Sequence, residues 1–409
     1  MNGNITLENQ FGAHNYHPLE VVLTKGQGIY VWDAAGRQYT DMMSAYSAVS
    51  HGHCHAKLLA ALTEQAHALT IVSRAFYTDK LGNFLKKLCD VTGLDAALPM
   101  NTGAEAVETA LKAARKWGYT KKNVPADQAE IIICHGNFHG RTIAVVGMSS
   151  EAQYRDGFGP FPKGFVQVPY GDIDALKKAI TANTVAFLIE PIQGENGIVV
   201  PPVGYLKACE RICQENNVLL ICDEIQTGMG RTGKFLACEH EDVKSDGLVL
   251  GKALGGGLLP VSVFLTRKDV MDVFHPGDHG STFGGNPLAS AVGLRAIELL
   301  FEEGLIANAE QLGNYLQAEL KKLQVQYPQI IHEVRGRGLM VGVEINKRIP
   351  ARTICKKLLL EGVLTKETHH TVVRLAPPLV ITLTQMDKVL AAIGKVIAEV
   401  AVELEKEST

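Results

Sequence analysis

Lys252 stands in "GLVLGKALGGGLLP", directly after a short apolar run and before a glycine triplet. The run reads as a buried strand, and a lysine at its end is ordinarily a solvated charge leaving the sheet. Two other places change that reading. Asp223 ends the apolar "VLLIC", where a buried carboxylate is costly unless a cation pairs with it. "NTGAEAVETALKAARK" has Thr102 near its start and Glu105 three residues on, a capping box at the head of an amphipathic helix. There the amides of Thr102, Gly103 and Ala104 stand at a positive helix end with no bulky side chain in the way, which suits a phosphate. The segment lacks the GxxxxGK[ST] pattern of a nucleotide triphosphate loop. A lysine amine for a Schiff base, a buried aspartate for a protonated pyridine nitrogen and a phosphate cup together describe pyridoxal phosphate chemistry, although none of the three does so alone.

The elements that must position these groups are legible as alternating patterns. "EIIIC" (130–134), "VAFLIE" (185–190), "VLLICDE" (218–224) and "GLVLGK" (247–252) read as buried strands, and "PVGYLKACERICQENN" between them carries helical spacing. That alternation predicts an α/β fold with a mainly parallel, doubly wound sheet covered on both faces. Each run ends in a polar cluster: "HGNFHGR", Glu190, Asp223 and Lys252 in turn. Ligands of such sheets bind beyond the carboxyl ends of the strands, so the four clusters are expected to share one crevice. The flanks differ. "GIYVWDAAGRQYTD" reads as a hairpin turning at Ala35-Gly36, and the C-terminal hundred or so residues mix helices with strands such as "LMVGVEI". We expect residues 1–50 and 305–409 to form a smaller α+β domain against a large domain of residues 51–304.

Composition narrows the function classes. A chain of 409 residues can bury a sizeable core, and its charge, 40 basic against 43 acidic residues or -3, contains no like-charge block that would mark a nucleic-acid footprint. Small molecules are the expected partners. The eight cysteines show no CxxC pair or framework spacing and read as reduced, mostly buried thiols. No signal peptide and no apolar run approaching the roughly 18 residues of a membrane span is visible, so the expected setting is cytoplasmic, or the mitochondrial matrix if a transit peptide has been removed. "HGHCH" (51–55) does not match ordinary structural zinc spacing, and no metal is expected.

At this point the chain resembles a family. "LICDEIQTGMGRTGKF" followed by "GKALGGGLLPVS", with "NTGAEAVETALKAARK" upstream, is similar to the class III, ω-amino-acid aminotransferases of pyridoxal-phosphate fold type I. Within it, "YSAVSHGHCH", "SRAFY", "NFHGRT", "GFGPF", "EPIQGENGIVVP", "HGSTFGGNPL" and "RLAPPLVI" resemble the ornithine δ-aminotransferase branch. The resemblance implies that Lys252 forms the Schiff base and shuttles the proton, and that Asp223 holds the ring nitrogen protonated. Gln226 contacts the ring hydroxyl, Phe138 stacks on the ring, and Thr102, Gly103 and Ala104 hold the phosphate, with Glu190 and His139 completing the cofactor pocket. Animal members have a tryptophan where this chain has His139, which therefore reads as a wall residue. Ser281 and Thr282 would complete the phosphate site of a second subunit, implying a homodimer with shared sites.

The implied reaction transfers the δ-amino group of ornithine to 2-oxoglutarate. Ornithine must hold its α-carboxylate far from the reacting carbon and glutamate must hold its own close, so two anion sites are required. By resemblance Arg141 is the distal clamp and Arg374 the proximal one, with Tyr16 and Tyr46 shaping the distal end. Glu195 would neutralise Arg374 for ornithine and move aside for glutamate. Acetylornithine and 4-aminobutyrate aminotransferases are the nearest alternatives. A mutase or decarboxylase on the same lysine and aspartate is a more remote one, and a cofactor-binding regulator is disfavoured because both arginines are present.

Overall fold

A computed structural model describes residues 3–407 of the chain. Its strands, in chain order, are β1 (Leu23–Gln27), β2 (Tyr30–Asp33), β3 (Gln38–Asp41), β4 (Ala96–Met100), β5 (Glu130–Cys134), β6 (Phe165–Val168), β7 (Thr184–Ile189), β8 (Leu219–Asp223), β9 (Gly247–Leu250), β10 (Ser262–Thr266), β11 (Ile331–Arg337), β12 (Met340–Ile345), β13 (Val363–Leu364), β14 (Lys366–Thr368) and β15 (Val372–Leu375). A seven-stranded sheet has the order β4-β10-β9-β8-β7-β5-β6. β9, β8, β7, β5 and β6 are parallel, whereas β10 is antiparallel to both of its neighbours. β5, β7, β8 and β9 are the four runs read from the sequence.

The apolar runs are continuous because both faces of this sheet are covered. Successive residues alternate: Ile131, Ile133, Leu188, Ile221 and Val249 pack with the apolar face of the helix Gly103–Thr120, while Ile132, Phe187, Cys222 and Leu248 face the larger cluster on the other side. Each such side chain taken fully out of water contributes about 1.5 to 3 kcal/mol. Close helix-to-sheet packing depends on Gly118, where an added Cβ would come within 2.1 Å of Val185 Cγ1.

Strand direction decides where the chemistry collects. β10 runs against both β4 and β9, so β4 points the same way as β9 and delivers Asn101-Thr102-Gly103 to the edge where Asp223 and Lys252 emerge. Ser262 at the head of β10 fastens that turn by donating its hydroxyl to the Thr102 carbonyl at 2.7 Å.

Two four-stranded sheets lie outside this one, β1-β2-β3-β13 and β11-β12-β15-β14. The first contains the expected hairpin: Asp33 Oδ1 accepts from the amides of Ala35 and Arg37, both at 2.9 Å, and Gly36 takes φ +83°. β13, from late in the chain, adds in parallel to β3. No helix among the described residues is long and apolar enough to cross a membrane.

Candidate active site

A cleft at the carboxyl ends of β7, β8 and β9 encloses about 680 Å³, its open mouth included. Sheet register sets its groups in a row. Ile189 pairs with Cys222, so Glu190 emerges level with Asp223. Asp223 pairs with Val249, which places Lys252 three residues further out on the next strand. Gly103, Ala104, Phe138, His139, Glu195 and Gln226 complete the lining used below.

Lys252 adopts φ +45°, a left-handed conformation costing a non-glycine residue about 1 to 2 kcal/mol. Its amine makes no hydrogen bond or ion pair among the described residues and looks into the cleft. Burial pulls its pKa below the ordinary lysine value, Arg374 adds to this, and Glu195, Asp223 and Glu190 oppose it. The result is an amine more readily deprotonated than a surface lysine.

Asp223 is 4% exposed, and its Oδ2 lies 2.6 Å from Nδ1 of His139, itself buried. His139, read from the sequence as a wall residue, lines the cleft, and its ring is the hydrogen-bonding partner of the buried aspartate. Burial alone would lower the histidine pKa, but the bond to Asp223, its charge and that of Glu190 prevail and raise it. Glu190 accepts from the amides of Phe138 at 2.8 Å and Gly194 at 3.3 Å. Its carboxyl is pushed up to about 7, by burial first, with His139 and the two amides opposing and Asp223 adding. A carboxyl raised in this way stabilises the folded chain below its ordinary 4.5 and loses that contribution as pH rises through about 7.

The capping box is present, with Thr102 Oγ1 accepting from the Glu105 amide and Glu105 reaching back. One detail differs from expectation. Glu105 Oε2 takes the Thr102 amide at 2.7 Å, so that N–H is committed, and Gly103 and Ala104 supply the open amides of the helix end. A Cβ on Gly103 would meet Ile225 Cδ1 at 2.8 Å. Gln226 donates Nε2 to Glu195 Oε1 at 3.0 Å, while its buried Oε1 has no partner. A Cβ on Gly194 would come within 1.7 Å of that oxygen. A buried acceptor awaiting a hydroxyl, an unpaired amine, two open helix amides and a carboxylate for a cation fit pyridoxal phosphate.

The substrate candidates fall into two groups. Arg374 on β15 is buried and donates Nη1 to Glu195 Oε1 at 2.8 Å. Burial would raise the Glu195 carboxyl, but the charge and hydrogen bond of Arg374 prevail and hold it at about 2. Tyr46 lies with Arg374, whose guanidinium carbon is 5.4 Å from its ring centroid. Ser44, Ala45, Tyr46 and Ser47 form a left-handed turn with φ between 46° and 75°. Asp41 holds the turn, its Oδ1 accepting from the amides of Met43 and Ser44 and its Oδ2 facing His53 Nε2 at 2.8 Å.

Arg141 and Tyr16 border a separate cavity beside the cleft together with Tyr154. Tyr154 was not visible as a site residue in the sequence; its contact with Arg141 alone marks it. Ser281 donates nothing to this chain's cleft: its hydroxyl accepts from Asn101 Nδ2 at 2.7 Å, and Thr282 is exposed. The histidines of "HGHCH" go three ways, to the Ala296 carbonyl, Asp41 and Glu303.

Comparison with known proteins adds to this geometry. The family model described as aminotransferase class-III matches residues 11–397. The chain is 56% identical over 396 residues to the ornithine aminotransferase of Geobacillus sp. strain WCH70, covering 97% of this chain and 98% of that one. It superposes on the ornithine aminotransferase from Toxoplasma gondii, whose active site holds PLP at partial occupancy, with a TM-score of 0.96 at 44% identity over 99% of this chain and 95% of that one. It is also similar to the acetylornithine aminotransferase from Elizabethkingia anophelis, with a TM-score of 0.88 at 46% identity over 97% and 98% of the two chains.

Proposed function

The chain belongs to the class-III aminotransferases, pyridoxal-5'-phosphate-dependent transaminases of fold type I, and from that premise we propose that it transfers the δ-amino group of L-ornithine to 2-oxoglutarate in ping-pong fashion, giving glutamate 5-semialdehyde and L-glutamate. The observation that carries the choice of substrate is the Glu195–Arg374 pair at 2.8 Å. A cleft for a plain α-amino donor needs a free proximal arginine. Here the arginine is neutralised, and a second, distal one stands beside the cleft in Arg141.

Pyridoxal phosphate, when bound, supplies an aldehyde that takes up the amino group and a cationic ring that accepts the electrons of the broken C–H bond. Everything else is done by the chain. Lys252 Nζ carries the proton between the two carbons that exchange it, a task suited to an amine with a lowered pKa. Asp223, oriented by His139, would hold the ring N–H. The Gly103 and Ala104 amides would hold the phosphate, Gln226 Oε1 would accept a hydrogen bond from the ring hydroxyl, and Phe138 would pack against the ring.

Glu195 and Arg374 give a prediction about selectivity. A pair whose carboxyl sits at about 2 contributes stability above the ordinary 4.5 and loses it only as pH falls through about 2. Proton uptake therefore cannot open it in a working pH range, and a competing substrate carboxylate must. Glu195→Ala is expected to speed the half-reaction with glutamate relative to that with ornithine. Arg374→Ala is expected to slow glutamate and 2-oxoglutarate by about a hundredfold while changing ornithine far less. Stopped-flow half-reactions check this, and equal losses for both donors in both variants would remove the switch.

A donor screen with 2-oxoglutarate, comparing ornithine, N-acetylornithine, 4-aminobutyrate and lysine, tests the assignment itself. The likeness to an acetylornithine aminotransferase at 46% identity makes N-acetylornithine the informative rival. A clear preference for it over ornithine would overturn the reading. We further propose a homodimer in which Ser281 and Thr282 reach the neighbouring phosphate site. Phe76, Tyr77 and Phe283, large and exposed in the single chain, support it. The division at residues 50 and 304 is likewise a proposal, supported by β13 pairing with β3.

A further inference from the structure

Arg141 is exposed, yet a clamp must hold its guanidinium in one plane, and a free arginine side chain carries about 2 kcal/mol of rotamer entropy. Among the described residues it has no carboxylate partner, so something else fixes it. The neighbouring backbone is tied down by Thr142 Oγ1, which donates to Glu108 on the helix Gly103–Thr120. The guanidinium itself lies over two rings, 3.9 Å from the centroid of Tyr154 and 5.1 Å from that of Phe138. Those rings meet edge to face at 6.0 Å and 81°. Phe138 lines the main cleft, whereas Tyr154 lines the adjoining cavity with Arg141 and Tyr16. The stack is thus the partition between the two spaces.

We propose that Tyr154 is the positioning residue for Arg141: its ring is the platform that aims the guanidinium at the distal carboxylate of either substrate. This rests on the reading of Arg141 as the distal clamp. Tyr154 sits on a short helical turn, Ala152–Arg155, with its own amide donating to the Glu151 carbonyl at 3.1 Å, so the platform is set by local backbone. A cation over an aromatic face is favourable, more so when shielded from water. The ring face does most of this work, and the phenol oxygen adds a hydrogen bond with Arg141. Burial keeps the phenol pKa above its ordinary value, so the ring stays neutral and its role is constant across the working pH range.

The holoenzyme variants Tyr154→Phe, Tyr154→Leu, Arg141→Met and the double variant Tyr154→Leu/Arg141→Met test this. Tyr154→Leu is expected to raise KM for ornithine and for 2-oxoglutarate about tenfold with kcat within about threefold, and Tyr154→Phe, which keeps the ring and loses only the phenol hydrogen bond, to raise KM by no more than about threefold. Cofactor content and its absorbance should not change, which separates positioning from general damage. The double variant should be no worse than Arg141→Met, because Tyr154 acts through Arg141. Calorimetric titration with glutarate, a dicarboxylate with no amine to transfer, should show the same tenfold weakening for Tyr154→Leu. This arm reads the clamp even if ornithine proves to be the wrong donor. An unchanged KM in Tyr154→Leu, a Phe variant as poor as the Leu one, or multiplying losses in the double variant would each overturn the proposal.

Discussion

Replacing Lys252 with alanine is expected to lower turnover by roughly ten-thousand-fold or more. Lys252 is the one lysine lining the cleft, and no described neighbour supplies a second amine there. The loss should be chemical, not structural. Alanine carries the same Cβ, so the left-handed strain at φ +45° is unchanged. Removing the amine also removes a liability. A lysine whose pKa is lowered on folding favours the folded chain only above its ordinary 10.5, and that advantage is lost as pH falls through the lowered value. At neutral pH the apo variant should therefore melt at or above the wild-type temperature. Single-turnover rates and apo melting curves check both halves. Turnover within tenfold of wild type, or a borohydride-fixed cofactor on another lysine, would take Lys252 out of the reaction.

The groups that sequence reading found are those whose position follows from a strand or helix end. Glu190, Asp223 and Lys252 each close an apolar run, and parallel strands bring such ends to one edge. Thr102 and Glu105 are three residues apart, and a capping box is a local pattern. What could not be read depends on register or on unusual backbone. His139 and Asp223 are 84 residues apart, one in the segment after β5 and the other at the end of β8, two strands with β7 between them, and only the finished sheet brings the two side chains together. β4 was missed because "AALPM" pairs weak strand formers with a proline, and it is tolerated at the sheet edge. The turn that carries Tyr46 could not be read because four successive left-handed residues have no sequence signature beyond the small side chains around it.

Arg231 shows the same limit. It belongs to the "GRTGKF" motif, yet its place is structural. It is fully buried, donates to the carbonyls of Leu339 and Pro377 and to Ser50 Oγ, and has no acidic partner among the described residues. Burial pushes its pKa down to about 9, with Asp41 opposing. It joins the turn between β11 and β12, the segment following β15 and the early chain at one point, and β15 is the strand that carries Arg374. No spacing rule would reveal a charge held by two carbonyls and a hydroxyl from three distant segments.

Asp223→Asn is expected to retain cofactor and lose activity on the order of a thousandfold. The helix amides, Gln226 and Lys252 are untouched, so binding should fall little. An amide cannot stabilise the cation that accepts the electrons of the broken C–H bond, so the loss should fall on chemistry. The variant also has a signature outside catalysis, given by comparing two buried histidines. His51 is bonded to a backbone carbonyl, and burial depresses its pKa to about 4. His139 is equally buried, but its pKa is raised because its partner is a carboxylate. Once that partner is neutral, the burial that dominates His51 should dominate His139 as well. NMR titration of the His139 ring in the folded variant should then show it neutral through the range where the wild-type ring carries its proton. Near-normal turnover in Asp223→Asn would remove the electron-sink role. A His139 that still titrates as in the wild type would show that Glu190, and not Asp223, holds its charge.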